Sequence, residues 1–151
     1  MSDASDAGRP CTGYWHLWTD ADGVSRQSWC ELKQFEQASM GGAAPQWNNL
    51  VSKGEATVVF SVQPVGWVAD WHENPKPQWI IPLKGRWWVE SMDGQRVEMG
   101  PGEASFGEDQ RCTKDSDGRV GHRSGTVGAE PAHLMIVQLH VEPVGTACHW
   151  R

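Results

Sequence analysis

The sequence predicts an all-β protein, and three observations carry that expectation. Short segments rich in β-branched and aromatic residues recur along the chain, glycine and proline turns separate them, and no segment carries an apolar stripe of helical period. Roughly nine short strands follow, the pattern of a sandwich or barrel. With 151 residues and no internal repeat, the chain is one domain's worth and long enough to bury its own core.

Residues 1–13 are small, polar and acidic and read as a flexible tail, leaving 14–151 as the domain. Residues 14–18 (YWHLW) form an aromatic strand, and 20–23 (DADG) a turn with glycine placed for positive φ. Apolar and polar positions nearly alternate over 25–36, where Trp29 and Glu31 oppose Cys30 and Leu32, so a half-buried strand is expected. A helix over 31–38 is the competing reading. Residues 40–49 are loop, pinned by Trp47, and 55–63 (EATVVFSVQ) is a strand. After a loop-like stretch broken by Pro75 and Pro77, strands are expected at 78–83, 86–92 and 95–99, the last two joined by the hairpin pair Asp93-Gly94. A further strand covers 103–108, a polar loop 111–121, and strands return at 122–127 and 133–141. Alternation puts His133, Met135, Val137 and Leu139 on one face of the last strand.

A net charge of −6 argues against nucleic acid or an anionic membrane, either of which calls for a basic patch. Arg111, Lys114, Arg119 and Arg123 are the sole basic cluster, diluted by Asp115 and Asp117. No apolar run reaches membrane-spanning length, and the N-terminus lacks the apolar core of a signal peptide. A cytoplasmic location follows, with the scattered cysteines at 11, 30, 112 and 148 expected as reduced thiols. Ten tryptophans against one tyrosine build either core or an aromatic-lined pocket.

Chemistry concentrates in residues 66–85 (GWVADWHENPKPQWIIPLKG), where His72 stands among indoles and amides. Gly66, His72, Asn74, Gln78 and Gly85 follow one another at the spacing G-x5-H-x-N-x3-Q-x6-G. That spacing resembles the first motif of the cupins, G-x5-H-x-H-x3-E-x6-G, a family of jelly-roll β-barrels. Trp71, His72, Pro75 and Gln78 are similar to a subgroup of small, mostly uncharacterised bacterial cupins that read W-H-x-x-P-x-x-Q. The hairpin at 93–94, the Gly100-Pro-Gly-Glu103 turn and His122 extend the likeness over about residues 55–140. Glu108, Asp109, Gly118, Gly121 and His122 resemble an E-D-x-x-G-x-G-H segment lengthened by extra residues at 111–117. That addition reads as a lid at the pocket mouth or as a surface insertion.

The resemblance implies metal ligands at His72, Asn74, Gln78 and His122. Two of these are imidazoles, which suit Zn, Fe, Ni or Mn to differing degrees, and two are neutral amides. Such a mononuclear divalent ion would lack a carboxylate ligand and act as a Lewis acid, in lyase, isomerase or cyclase chemistry ahead of dioxygenation. Without metal, the same side chains would form the hydrogen-bonded pocket of a small-ligand-binding or sensor protein. Glu108, Asp109 and His133 are candidate general acids or bases, with a solvated pair and a wall histidine as the alternatives. Trp67, Trp71, Trp79 and Trp88 are candidate substrate-binding rings, and Trp87 and Trp88 point to opposite faces of their strand. The resemblance further implies a homodimer formed through edge strands.

Overall fold

The computed structural model describes residues 8–151, and among them it contains strands and no helix. The strands are β1 (Thr12–Thr19), β2 (Ser25–Leu32), β3 (Glu36–Ala38), β4 (Gln46–Asn48), β5 (Ala56–Gln63) and β6 (Val68–His72). They continue with β7 (Gln78–Lys84), β8 (Arg86–Ser91), β9 (Arg96–Met99), β10 (Ser105–Glu108), β11 (His122–Val127) and β12 (Ala132–Leu139). The all-β expectation holds, and the competing helix over 31–38 does not form. Among the described residues no helix is long and apolar enough to cross a membrane. The expected flexible tail lies mostly outside the described residues, and Thr12 and Gly13 already belong to β1.

Two sheets pack face to face as a sandwich. One has six strands in the order β2-β1-β10-β7-β12-β5, with β1 and β10 parallel and the other pairs antiparallel. Its partner has four antiparallel strands, β6-β11-β8-β9, and β3 and β4 form a separate hairpin. Between the sheets, Leu17, Ile80 and Leu134 of the first meet Trp87, Val89, Val97 and Met99 of the second. Full burial of each such side chain stabilises by about 1.5–3 kcal/mol, so this layer is the main driving force of the fold.

The six-stranded sheet carries a second apolar layer on its outer face, where Tyr14, Cys30, Phe106 and Leu139 pack with Trp79, Cys148 and Trp150. The C-terminal residues therefore lie as a strap across β2, β1 and β10. Cys30 and Cys148 form a disulfide there, which overturns the expectation of reduced thiols at these two positions. They are 118 residues apart, so only the tertiary fold brings them together. Cys11 and Cys112 remain free thiols.

Two elements differ from expectation. Residues 68–72, read as loop, form β6, because pairing with β11 satisfies their backbone at the sheet edge. The loop over 40–49 contains β4, which pairs with β3 in a short hairpin.

Candidate functional site

Four buried polar side chains meet between the sheets at one end of the sandwich. Gln138 on β12, Gln78 on β7 and Gly107 on β10 lie in register across the six-stranded sheet. Gly107 is glycine for a reason: a Cβ there would collide with the amide of Asn74, which lies against it. A directional hydrogen-bond chain results. Gln138 Nε2 donates to Gln78 Oε1 at 3.1 Å, and Gln78 Nε2 donates to Asn74 Oδ1 at 2.6 Å. Asn74 then donates both its backbone N–H and its Nδ2 to Asp109 Oδ1, at 2.9 and 2.8 Å. On the other side of that carboxylate, His122 Nδ1 donates to Asp109 Oδ2 at 2.6 Å.

Asp109 is 0 % exposed. Burial alone would raise its pKa, but the facing His122 and the hydrogen bonds from His122 and Asn74 outweigh burial and leave it below the ordinary carboxylate range. An ionised Asp109 only accepts hydrogen bonds, so His122 carries a proton on Nδ1, and in the neutral ring it is Nε2 that keeps the lone pair.

His72 stands beside His122 because these two residues pair across β6 and β11, next to a register shift in β6. The shift re-aims the end of the strand. Their ring centroids are 4.5 Å apart. His72 Nδ1 donates to the backbone carbonyl of Asp70 at 2.6 Å, which fixes its tautomer in the same sense. Both imidazoles are thus held through Nδ1 and offer Nε2. Asn74 and Gln78 lie beyond Asp109 from His122, each amide oxygen already accepting a hydrogen bond, and His72 is exposed.

Glu108, next in sequence to Asp109, faces the opposite side of the six-stranded sheet, under the strap. Its Oε1 accepts from His16 Nε2 at 3.0 Å and from His149 Nε2 at 2.7 Å, while Oε2 accepts the Val144 N–H at 3.1 Å. Burial would raise the Glu108 pKa, but these bonds outweigh it and hold the group below its ordinary value. Burial pushes His16 down, so its ring is neutral near pH 7. The ligand atoms of His16, Glu108 and His149 lie within 4.8 Å of one another, and such a group could hold a metal ion.

No protein-family model matches the chain, and no curated protein matches its sequence. The site is therefore read from its own chemistry.

The remaining sequence candidates are spread over the molecule. His133 is half-buried at the far end of β12 from Gln138 and pairs across the ladders with Val62 and Lys84. Trp79 belongs to the outer layer under the strap, its ring 5.1 Å from Tyr14 and 4.9 Å from Phe106. Trp71 and Trp88 flank the Arg123 guanidinium at 5.7 and 5.9 Å, and Arg96 stacks on Trp88 at 3.9 Å. Trp67 opens β6, where its carbonyl accepts the Thr126 N–H. Trp87 joins the cluster between the sheets, while Trp88, also buried, lies against Arg96 and Arg123. The 111–117 loop is tied at several points: Cys112 N–H bonds Glu73, Thr113 N–H bonds the Gly23 carbonyl, and Arg111 pairs with Glu142.

His16 and His149 escaped sequence reasoning because their partner lies across the fold. One signal existed: alternation in 14–18 sets Tyr14 and His16 on the same side of β1, away from Leu17. Nothing local pointed to residue 149.

Proposed function

We propose that the chain is a cupin-like small-molecule enzyme that holds a divalent metal ion at His72 and His122. The observation that carries this reading is the matched anchoring of the two rings, each with Nδ1 donating to a protein oxygen and Nε2 left as a donor atom. Metal-binding histidines are oriented in this way by a carboxylate or a carbonyl behind them. Two imidazoles suit Zn, Fe or Ni better than Mn. The ion would supply Lewis-acid activation of a substrate oxygen, in lyase, isomerase or cyclase chemistry. Asp109 is then a positioning residue, which keeps His122 in the tautomer that binding needs. Asn74 and Gln78 hold Asp109 in turn.

A metal-free reading has its own support in the continuous hydrogen bonding from Gln138 to Asp109, which occupies both amide oxygens. Under it, His122 Nε2 is the acceptor that meets a small ligand or takes its proton, with Asp109 as orienting partner. Metal analysis of purified protein separates the two. The enzyme reading expects about one ion per chain after incubation with Zn, Ni, Fe or Mn, lost in His122→Ala and in His72→Ala. No bound ion and no thermal shift with any of the four would sink it and leave the metal-free pocket.

A homodimer through β5 belongs to the same proposal. β5 is an edge of the six-stranded sheet, with Val58, Phe60 and Val62 at 57, 70 and 56 % exposure on the face they share. Three large apolar side chains beside an unpaired strand edge favour a second copy of the same edge. Phe60→Glu should weaken self-association about 10-fold or more in analytical ultracentrifugation. A wild-type chain that stays monomeric across the micromolar range would refute the pairing. Cytoplasmic residence is part of this reading too, and in a reducing compartment the Cys30–Cys148 bond would be open to reduction.

A further inference from the structure

The strap has little of its own to hold it in place. Residues 140–151 form no strand or helix, and every side chain among them is exposed or half-buried. Its ties run instead to the sheet beneath. Val144 N–H donates to Glu108 Oε2 at 3.1 Å, and His149 Nε2 bonds Oε1 of the same carboxylate at 2.7 Å. Cys148 N–H donates to His16 Nδ1 at 3.0 Å, and the Tyr14 hydroxyl donates to the Trp150 carbonyl at 3.1 Å. To these the Cys30–Cys148 disulfide adds a covalent bond.

What lies underneath depends on that cover. His16 is 0 % and Glu108 2 % exposed, and the strap supplies three of the hydrogen bonds that these two buried groups make. Cys148 has φ of 56°, a left-handed conformation costly for a residue with a Cβ. The covalent tie holds it there. That tie is also within reach from outside. Both cysteines line an open cleft of about 510 Å³, together with Trp29, Glu31 and Arg151. Cys30 is buried and Cys148 half-buried. Disulfides that are exposed or held under strain are the ones reduced readily and used for regulation.

We propose that the Cys30–Cys148 bond is a redox latch: a dithiol entering the cleft reduces it, and the strap then leaves the sheet. The attacking thiolate meets the half-buried Cys148 sulfur, forms a mixed disulfide there and displaces Cys30, which takes up a proton. The reductant's second thiolate resolves that species and frees Cys148 as a thiol. The reductant becomes a disulfide, and the protein gains two electrons and two protons. With the tie gone, opening relieves the left-handed Cys148 backbone and returns the Val144, Cys148 and His149 donors to water. Tyr14, Phe106 and the His16–Glu108 pair are then uncovered. The core between the sheets contains no residue of the strap, so it stays folded while the cover moves. Local openings of this kind are drawn from the least stable part of a fold.

The test uses the full chain carrying Cys11→Ser and Cys112→Ser, so that a single thiol pair can react. Amide hydrogen exchange is followed by mass spectrometry on oxidised protein and on protein treated with dithiothreitol, whose intact mass shows the gain of two hydrogens. Exchange over residues 140–151 is expected to quicken about 10-fold or more on reduction, while β7 and β12 keep their protection. Adding Cys148→Ser should give the same fast exchange without reductant, with circular dichroism confirming the fold. Unchanged exchange over 140–151 in a chain shown to be reduced overturns the proposal. So does a bond that dithiothreitol opens only in denaturant, or exchange that quickens equally over β7 and β12.

Discussion

Asp109→Ala should cost about 3–5 kcal/mol, because it leaves the Asn74 and His122 donors buried without their acceptor. For a chain of this size that is a fall in Tm of about 6–20 °C, read by calorimetry or circular dichroism. Asp109→Asn should be milder in stability and severe in function. Its Oδ1 can still accept from Asn74, but the new amide N–H faces His122 Nδ1 and drives the imidazole proton to Nε2. The one change removes the free donor atom without emptying the site, so metal or ligand binding should be lost from a folded protein. A folded Asp109→Asn that keeps wild-type binding would show that the tautomer is not controlled from there.

The pH dependence of that effect has a definite sign. The Asp109 carboxyl is held below its ordinary value in the folded chain. Its contribution is therefore fully present above the unfolded pKa of about 3.9 and fades as pH falls through the lower folded value. The stability gap between wild type and Asp109→Asn should be constant near neutrality and close in strong acid. A gap that widened with acid would contradict the assignment.

The second large effect is expected at Gly121, just before His122. Its φ is +71°, and a Cβ there would run into the His72 carbonyl and the Glu73 backbone. Gly121→Ala therefore combines left-handed strain with a backbone collision across the β6–β11 pair, at about 3 kcal/mol or more. It should also push His72 away from His122. Gly118→Ala is the matched control: φ is +79°, and the added methyl meets nothing within 4 Å, so it carries strain alone, about 1–2 kcal/mol. Thermal melts and metal titration of the two variants check the pair of expectations. Equal losses would mean that close approach at Gly121 does not position His72.

The part of the site that was legible in the sequence is the part with local spacing. His72, Asn74 and Gln78 are a short run whose separations carry information, and their chain of amide bonds leads to Asp109, which the sequence offered as a candidate without its partners. His122 is placed by a strand-to-strand pairing that spacing alone could suggest but not secure, since the 111–121 loop stands between. The strap was illegible for a different reason. His16 and Cys148 are joined by a hydrogen bond across 132 residues, and no propensity or periodicity reports on such a contact. The loop reading holds for 73–77, where Pro75 and Pro77 lie, and fails for 68–72, where edge pairing with β11 overrides local preference. The tryptophans were expected to build core or line a pocket; Trp87 joins the inter-sheet core, Trp79 and Trp150 the layer under the strap, and Trp71 and Trp88 flank Arg123.

Glu108 and Asp109 are neighbours in the chain that serve opposite sides of one sheet, and this makes them a parity marker. A strand has only two side-chain directions, so inserting or deleting a single residue within 105–108 would exchange the two carboxylates. The longer glutamate would then crowd the His122 side while the shorter aspartate fell short of His149. Neither network could be repaired by moving one side chain. A change of length after Asp109, where the 111–117 loop lies, leaves that parity intact, whereas one before Glu108 does not.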